Sequence, residues 1–291
     1  MNPIVELPLQ DWRQQCPVAL QQQALQALED GSVLLFPQLG FSMDDAEAQL
    51  LSPAVAARSK NVSFNVTTGK LSGTSLDAPA AARLEAMVRR FAECSNALLQ
   101  GLLPQYKAGL VQGRTSFRPV AVEGRSTSWR KDDTRLHVDS FPSSPVQGRR
   151  ILRVFCNIAP HGRNRTWRLG EPFERVARHC LPSLSGPLWG SSWLLRLGMV
   201  TKSRRSAYDH FMLQIHDRMK ADSDYQAAAI QLTRDFPPGC TWMAFTDQVS
   251  HAAIAGQHML EQTFYLPVAS MQEPSKSPLR VLERLMNRQL A

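Results

Sequence analysis

The chain has 291 residues, 43% of them hydrophobic, and 33 Lys and Arg against 25 Asp and Glu, for a formal net charge of +8. This length and balance describe a globular protein with a substantial core and exclude a disordered chain, while no apolar run approaches the roughly 20 residues that span a bilayer. The N-terminus has no long apolar segment and reads as no secretory signal, and five scattered cysteines, none in C-x-x-C spacing, exclude a zinc ribbon or disulfide framework and suit a reducing cytoplasm.

Residues 17–30 carry apolar side chains near helical spacing and stop at Gly31, a natural residue for the left-handed turn beyond a helix. Residues 32–37 (S-V-L-L-F-P) read as a buried strand, and S-M-D-D predicts a second helix capped by Ser42. Residues 59–74 alternate about a T-G-K turn, the pattern of a hairpin. Residues 78–103 form the longest helical pattern, with Leu84, Met87, Val88, Phe91, Leu98 and Leu102 on one stripe.

From Thr115 the texture becomes strand-like. F-R-P-V-A-V-E alternates, R-L-H-V-D-S-F follows a K-D-D loop, and R-I-L-R-V-F-C-N-I-A-P is the strongest strand signal in the chain. Leu152, Val154, Cys156 and Ile158 make its apolar face, while Ile151, Arg153, Phe155 and Asn157 form a mixed face suited to lining a cleft. Residues 171–178 and 208–220 have helical spacing. An F-P-P-G turn then precedes the strand C-T-W-M-A-F, T-D-Q-V-S-H leads to His251, and M-L-E-Q-T-F-Y-L-P is a final strand. Helices first, then strands broken by Pro and Gly turns, predict an α+β protein built on a barrel or jelly roll. We divide the single domain, 1–291, into a mainly helical flank (1–112), a β-rich core (113–269) and a C-terminal amphipathic helix (270–291).

His137 and Asp139 are two residues apart, so in an extended segment both project from one face. With His251 they would make the set of two His and one carboxylate that binds Fe(II) and leaves positions open for a co-substrate and oxygen. A lone H-x-D is a weak signal, and a His beside an Asp is often a simple ion pair. The strand context, and the arrival of His251 after a P-P-G turn and a strand, favour the metal. His179, His210 and His216 lie on expected helices, and His161 and His258 in turns. Residues 114–178 hold fourteen Arg and Lys against six Asp and Glu, a basic band that points to an anionic partner or to a solvated basic face.

The segments S-F-R-P-V-A-V-E-G-R, D-D-T-R-L-H-V-D-S-F-P, R-I-L-R-V-F-C-N-I-A-P, W-R-L-G-E-P-F, F-P-P-G and L-E-Q-T-F-Y-L-P resemble the Kdo 3-hydroxylases, a branch of the Fe(II)/2-oxoglutarate-dependent oxygenases, over most of residues 115–267. The resemblance implies a double-stranded β-helix (a jelly-roll, cupin-like core flanked by helices). It implies His137, Asp139 and His251 as catalytic metal ligands, and Fe(II), 2-oxoglutarate and O2 as requirements. It further implies hydroxylation at C3 of a Kdo sugar on Kdo-lipid A, with release of succinate and CO2. One departure stands out. Many such oxygenases carry an Arg about ten residues after the distal His to hold the far carboxylate of 2-oxoglutarate, and residues 259–266 contain no Arg or Lys. Arg153, on the mixed face of its strand, is the expected replacement, with Arg149, Arg150 and Arg168 as rivals and Asn157 as a second polar contact.

Arg118, Arg125, Arg130 and Arg135 flank the metal strand and are candidates for binding Kdo carboxylates or lipid A phosphates. The C-terminal helix sets Leu279, Leu282, Leu285, Met286 and Leu290 on one face and Arg280, Arg284 and Arg288 on another. It suits packing against its own domain or a partner, and secondarily an anionic inner-membrane surface. The expected setting is cytoplasmic, with possible peripheral contact there and no assigned oligomeric state. The alternatives are a same-fold oxygenase acting on another anionic sugar or lipid, and a non-catalytic sugar-binding barrel. Aromatic residues within the basic band are too sparse for a nucleic-acid platform, so no nucleic-acid partner is expected.

Overall fold

Helices form the outer layer of a computed structural model that describes residues 2–57, 61–125, 127–160, 162–187, 201 and 203–291. Helix α1 (Val18–Glu29) turns Leu25 and Leu28 inward and ends where Gly31 takes a φ of +85°. Helix α2 (Asp45–Ala48) is capped by Asp44 and not by Ser42. Asp44 accepts the Glu47 amide and Glu47 accepts the Asp44 amide, a reciprocal box that only a side chain at position 44 can close. Helix α3 (Ala78–Leu102) begins at Asp77, whose carboxylate accepts the Ala80 amide, and buries the stripe from Leu84 to Leu102.

Eight strands make one sheet: β1 (Ile4–Glu6), β2 (Val33–Phe36), β3 (Val62–Asn65), β4 (Lys70–Ser72), β5 (Val111–Arg118), β6 (Arg150–Asn157), β9 (Thr241–Phe245) and β11 (Met259–Leu266). Their order is β1-β2-β9-β6-β11-β5-β3-β4, with only β1 and β2 parallel. A second, antiparallel sheet of order β10-β7-β8 comprises β7 (Arg165–Leu169), β8 (Leu232–Phe236) and β10 (His251–Ala255). The outer face of the large sheet packs on α1 and α3 through Leu34, Phe64, Phe117, Leu152, Leu260 and Phe264. A smaller aromatic cluster of Phe155, Trp167, Phe236 and Trp242 lies between the two sheets, with the Phe236 and Trp242 rings stacked 4.2 Å apart. Two sheets closed on such an inner core, flanked by helices, form a double-stranded β-helix.

Differences from the sequence reading have local causes. The first 112 residues supply four strands to the large sheet as well as helices. The hairpin expected over 59–74 is β3 and β4, residues 59 and 60 lying outside those described. The strand expected from Thr115 onward begins at Val111 and stops at Arg118, because Pro119 has no amide to give the ladder. R-L-H-V-D-S-F forms no strand; it stays extended and is tied by one bridge, His137 to His251. The helices expected at 171–178 and 208–220 are α4 (Phe173–Cys180) and α5 (Ala207–Ala221), followed by the short α6 (Ser223–Ala228).

The C-terminal helix α7 (Pro278–Met286) buries Leu279, Val281 and Leu282 against the protein, and its Arg284 reaches Glu174 on α4 at 2.7 Å. Its apolar face is therefore covered by its own chain. Leu282 is fully buried, so Leu282→Ala should cost about 2–5 kcal/mol in urea unfolding; a loss below about 0.5 kcal/mol would mean the helix is not docked. Among the described residues, no helix is long and apolar enough to cross a membrane.

Candidate active site

His137 and His251 exchange both backbone hydrogen bonds, His137 N to His251 O at 3.0 Å and His251 N to His137 O at 2.9 Å. This fixes two side chains far apart in sequence on one face, at the edge of the small sheet. The Asp139 amide donates to the Thr246 carbonyl at 2.8 Å, while Leu136 and Val138 point into the large core. The alternation expected of H-V-D is thus kept without a strand. Arg150 holds the loop that leads to His251: its buried guanidinium binds Asp247 at 2.8 Å and Gln248 at 2.6 Å.

One donor atom from each of His137, Asp139 and His251 lies within 4.8 Å of the others, and all three residues are buried. Each imidazole is oriented by its own backbone. His137 Nδ1 lies 2.8 Å from the Arg135 carbonyl and His251 Nδ1 lies 2.8 Å from the Val249 carbonyl. A carbonyl can only accept, so both Nδ1 atoms carry hydrogen. Burial lowers both histidine pKa values, with the neighbouring His251 adding to the effect at His137 and Asp139 opposing it at His251. The rings are neutral, and each Nε2 keeps a lone pair for the site. Trp167 stacks on His251 at 4.9 Å and shields it. Burial alone would raise the Asp139 carboxyl, but the Arg153 guanidinium outweighs it, with help from a hydrogen bond from Thr246, and holds the group well below the usual carboxylate range. Two neutral nitrogens and one carboxylate oxygen facing inward fit a divalent first-row metal.

The metal cluster opens into a cavity of about 370 Å³ lined in part by Arg118, Arg153, Phe155, Arg165, Lys220 and Glu261. Arg153 reaches it from β6, but it already stands 3.1 Å from Asp139 and 3.5 Å from Glu261. Arg118 closes on the other side of Glu261 at 2.7 Å and lies 3.7 Å from Asp133, which in turn is 3.9 Å from Arg125. Charges therefore alternate along the wall from Asp139 to Arg125.

Arg118 and Arg125 are members of this chain, and Arg125 also donates to the Ala121 carbonyl. Arg130 is exposed at the rim, 3.2 Å from Asp217 and over the Trp129 ring. Arg135 binds Asp132 and the Lys220 carbonyl. Asn157 is not brought to the site: its amide donates to the Arg163 and Phe236 carbonyls and its oxygen accepts the Ala159 amide. Of the rival arginines, Arg150 is committed to Asp247, Arg149 donates to the Val146 carbonyl and Arg168 to the Thr134 carbonyl.

Arg165 also lines the cavity, and its sequence position does not single it out. It lies on the inner face of β7 and is 1% exposed. Its one hydrogen bond runs from Nη1 to the Gly256 carbonyl at 3.1 Å, and its Nε has no acceptor. Burial, with Arg118 and Arg125 nearby, pushes its pKa down to about 9. A buried guanidinium without a carboxylate is costly unless an anion joins it. The usable signal was the alternation R-T-W-R-L, which puts Arg165, Trp167 and Leu169 on one face.

The family described as 3-deoxy-D-manno-oct-2-ulosonic acid (Kdo) hydroxylase matches residues 11–289. Crystal structures of the Kdo hydroxylase KdoO, a non-heme Fe(II) alpha-ketoglutarate-dependent dioxygenase, are similar over nearly the whole length at 46% identity. Its complex with cobalt(II) gives a TM-score of 0.97 over 99% of this chain and 97% of that one. Its complex with alpha-ketoglutarate and Fe(III) gives 0.97 over 100% and 98%. Its complex with succinate and Fe(III) gives 0.96 over 99% and 97%. No curated protein sequence matches the chain.

Proposed function

This chain belongs to the Kdo hydroxylase family, and on that premise we propose that it hydroxylates C3 of a Kdo sugar carried on lipid A, using His137, Asp139 and His251 to hold Fe(II). The enzyme is an Fe(II)/2-oxoglutarate-dependent dioxygenase, and its substrate contains Kdo. The observation that carries the site assignment is the shared orientation of the two histidines, each giving Nδ1–H to a backbone carbonyl so that both Nε2 lone pairs meet Asp139.

Fe(II) with 2-oxoglutarate and O2 supplies the oxidising chemistry, with succinate and CO2 as co-products. The protein's part is to bind, orient and shield. Arg165, 1% exposed and with no carboxylate partner among the described residues, offers its Nε edge to the far carboxylate of 2-oxoglutarate, a bidentate match. Arg153 keeps Asp139 ionised and in place while Glu261 holds Arg153 from behind. Phe155 and Trp167 wall the cavity with rings, and Lys220, whose ammonium donates to the Arg130 carbonyl, lines it on the side of the rim cations that would face the acidic sugar. A lipid-linked substrate places the working enzyme at the inner-membrane surface.

The test is 2-oxoglutarate turnover with Kdo-lipid A. We expect one succinate per sugar oxidised and a gain of one oxygen atom on the Kdo residue by mass spectrometry. Succinate formed at the same rate with and without the lipid, and no oxygen gained, would overturn the reading.

A further inference from the structure

A second cleft of about 600 Å³ adjoins the metal cavity and shares Arg118, Phe141, Arg153 and Glu261 with it. It runs along the inner face of the large sheet. The register sets Arg153 of β6 opposite Thr263 of β11, Glu261 opposite Ser116 of β5, and Ser116 and Arg114 opposite Ser63 and Asn65 of β3. The other face of these strands holds Val62, Phe64, Phe117, Leu260 and Phe264, all buried. The sheet is thus apolar toward the helices and bears hydroxyls, amides and guanidiniums toward the cleft, the composition of a saccharide site and not of a protein-packing face.

Charge is uneven along the cleft. Where it meets the metal cavity, Arg118 and Arg153 share Glu261 and are paired further with Asp133 and Asp139. Farther out, Arg114 and Arg149 make no ion pair among the described residues. Arg149 donates to the Val146 carbonyl and lies 5.1 Å from the centre of the Tyr265 ring. That ring is seated on Gly113, where an added Cβ would come within 2.9 Å of it. Burial raises the Tyr265 hydroxyl, and the Arg153, Arg149 and Arg114 guanidiniums oppose that rise. Among the described residues, Glu261 is the one acidic residue lining the cleft, and it is already paired.

We propose that this outer cleft is a second binding subsite, taking an oxyanion borne by the part of the substrate next to the sugar being hydroxylated. The proposal rests on the hydroxylase reading. Arg114 and Arg149 grip the oxyanion, and Tyr265, Ser63 and Asn65 face the attached sugar. The oxyanion is the carboxylate of a neighbouring acidic sugar or a phosphate of the lipid portion; guanidinium serves both alike.

The double variant Arg114→Gln/Arg149→Gln separates these. We expect its KM for Kdo-lipid A to rise tenfold or more, while its affinity for 2-oxoglutarate, read by anaerobic titration, is unmoved. Ser63→Trp, which fills the cleft from a half-buried position on β3, should raise the same KM. With enzymatically dephosphorylated Kdo-lipid A, a loss that persists assigns the subsite to a carboxylate, and a loss that vanishes assigns it to a phosphate. A KM unchanged in both variants on both substrates, with the wild-type enzyme active, overturns the subsite alone. A wild-type enzyme inert toward both substrates overturns the hydroxylase reading, and the subsite falls with it.

Discussion

Asp139→Ala is expected to abolish 2-oxoglutarate turnover and to weaken divalent-metal binding by more than the roughly 10–100-fold that loss of an outer-shell partner costs. The reason lies in the donor set. His137 and His251 are both neutral with Nε2 turned inward, so Asp139 carries the only negative charge among the three. Its removal also leaves Arg153 facing the metal position without the carboxylate 3.1 Å away. A cation site is thereby turned into one that repels cations. Calorimetric titration with Co(II), alongside succinate release under added Fe(II), reads both effects. Metal affinity within a few-fold of wild type would remove Asp139 from the ligand set.

Arg165→Ala should weaken 2-oxoglutarate binding by about 2 kcal/mol or more, roughly thirtyfold, because it truncates one partner of a buried charge pair. Anaerobic titration of the Fe(II) enzyme with 2-oxoglutarate, followed by the visible band of the complex, gives the affinity directly. A second measurement distinguishes Arg165 from Arg153. Without co-substrate, Arg165 is buried with no carboxylate in ion-pair reach among the described residues and has Arg118 and Arg125 as neighbours, with Asp133 and Glu261 only partly offsetting them, so alanine there should cost less stability than alanine at 153. Arg153 sits between Asp139 and Glu261. Alanine at 153 breaks a buried network and should cost about 3–5 kcal/mol of stability. If Arg153→Ala instead abolishes 2-oxoglutarate binding while Arg165→Ala does not, the anchor returns to β6.

The parts of this site that could be read in the sequence are those governed by local periodicity. H-V-D places His137 and Asp139 on one side because Leu136 and Val138 must be buried on the other. That requirement holds although the segment is tied by one bridge and forms no strand. The run R-I-L-R-V-F-C-N is strand by composition, and it is β6, buried throughout. What could not be read depends on which distant residues meet. Glu261 on β11 is an unremarked acidic residue until β5 and β6 bring Arg118 and Arg153 to either side of it. The flanking arginines read as free cations in one dimension, and Arg118, Arg125 and Arg135 prove to be engaged with Glu261, Asp133 and Asp132. Arg165 carries the opposite lesson: nothing in a basic stretch says which of its charges lacks a partner.

The reciprocal backbone bridge between His137 and His251 also bears on how the molecule assembles. The two residues are separated by 114 positions in the chain (251 − 137), so the bridge closes a long-range loop. Long-range closures of this kind come late, after local helices and hairpins have formed. The two imidazoles are therefore brought together by tertiary structure, and the proposed iron site is complete only when that bridge is closed. Once the bridge is closed, each ring is fixed by a carbonyl two residues away, so loading the metal demands little rearrangement.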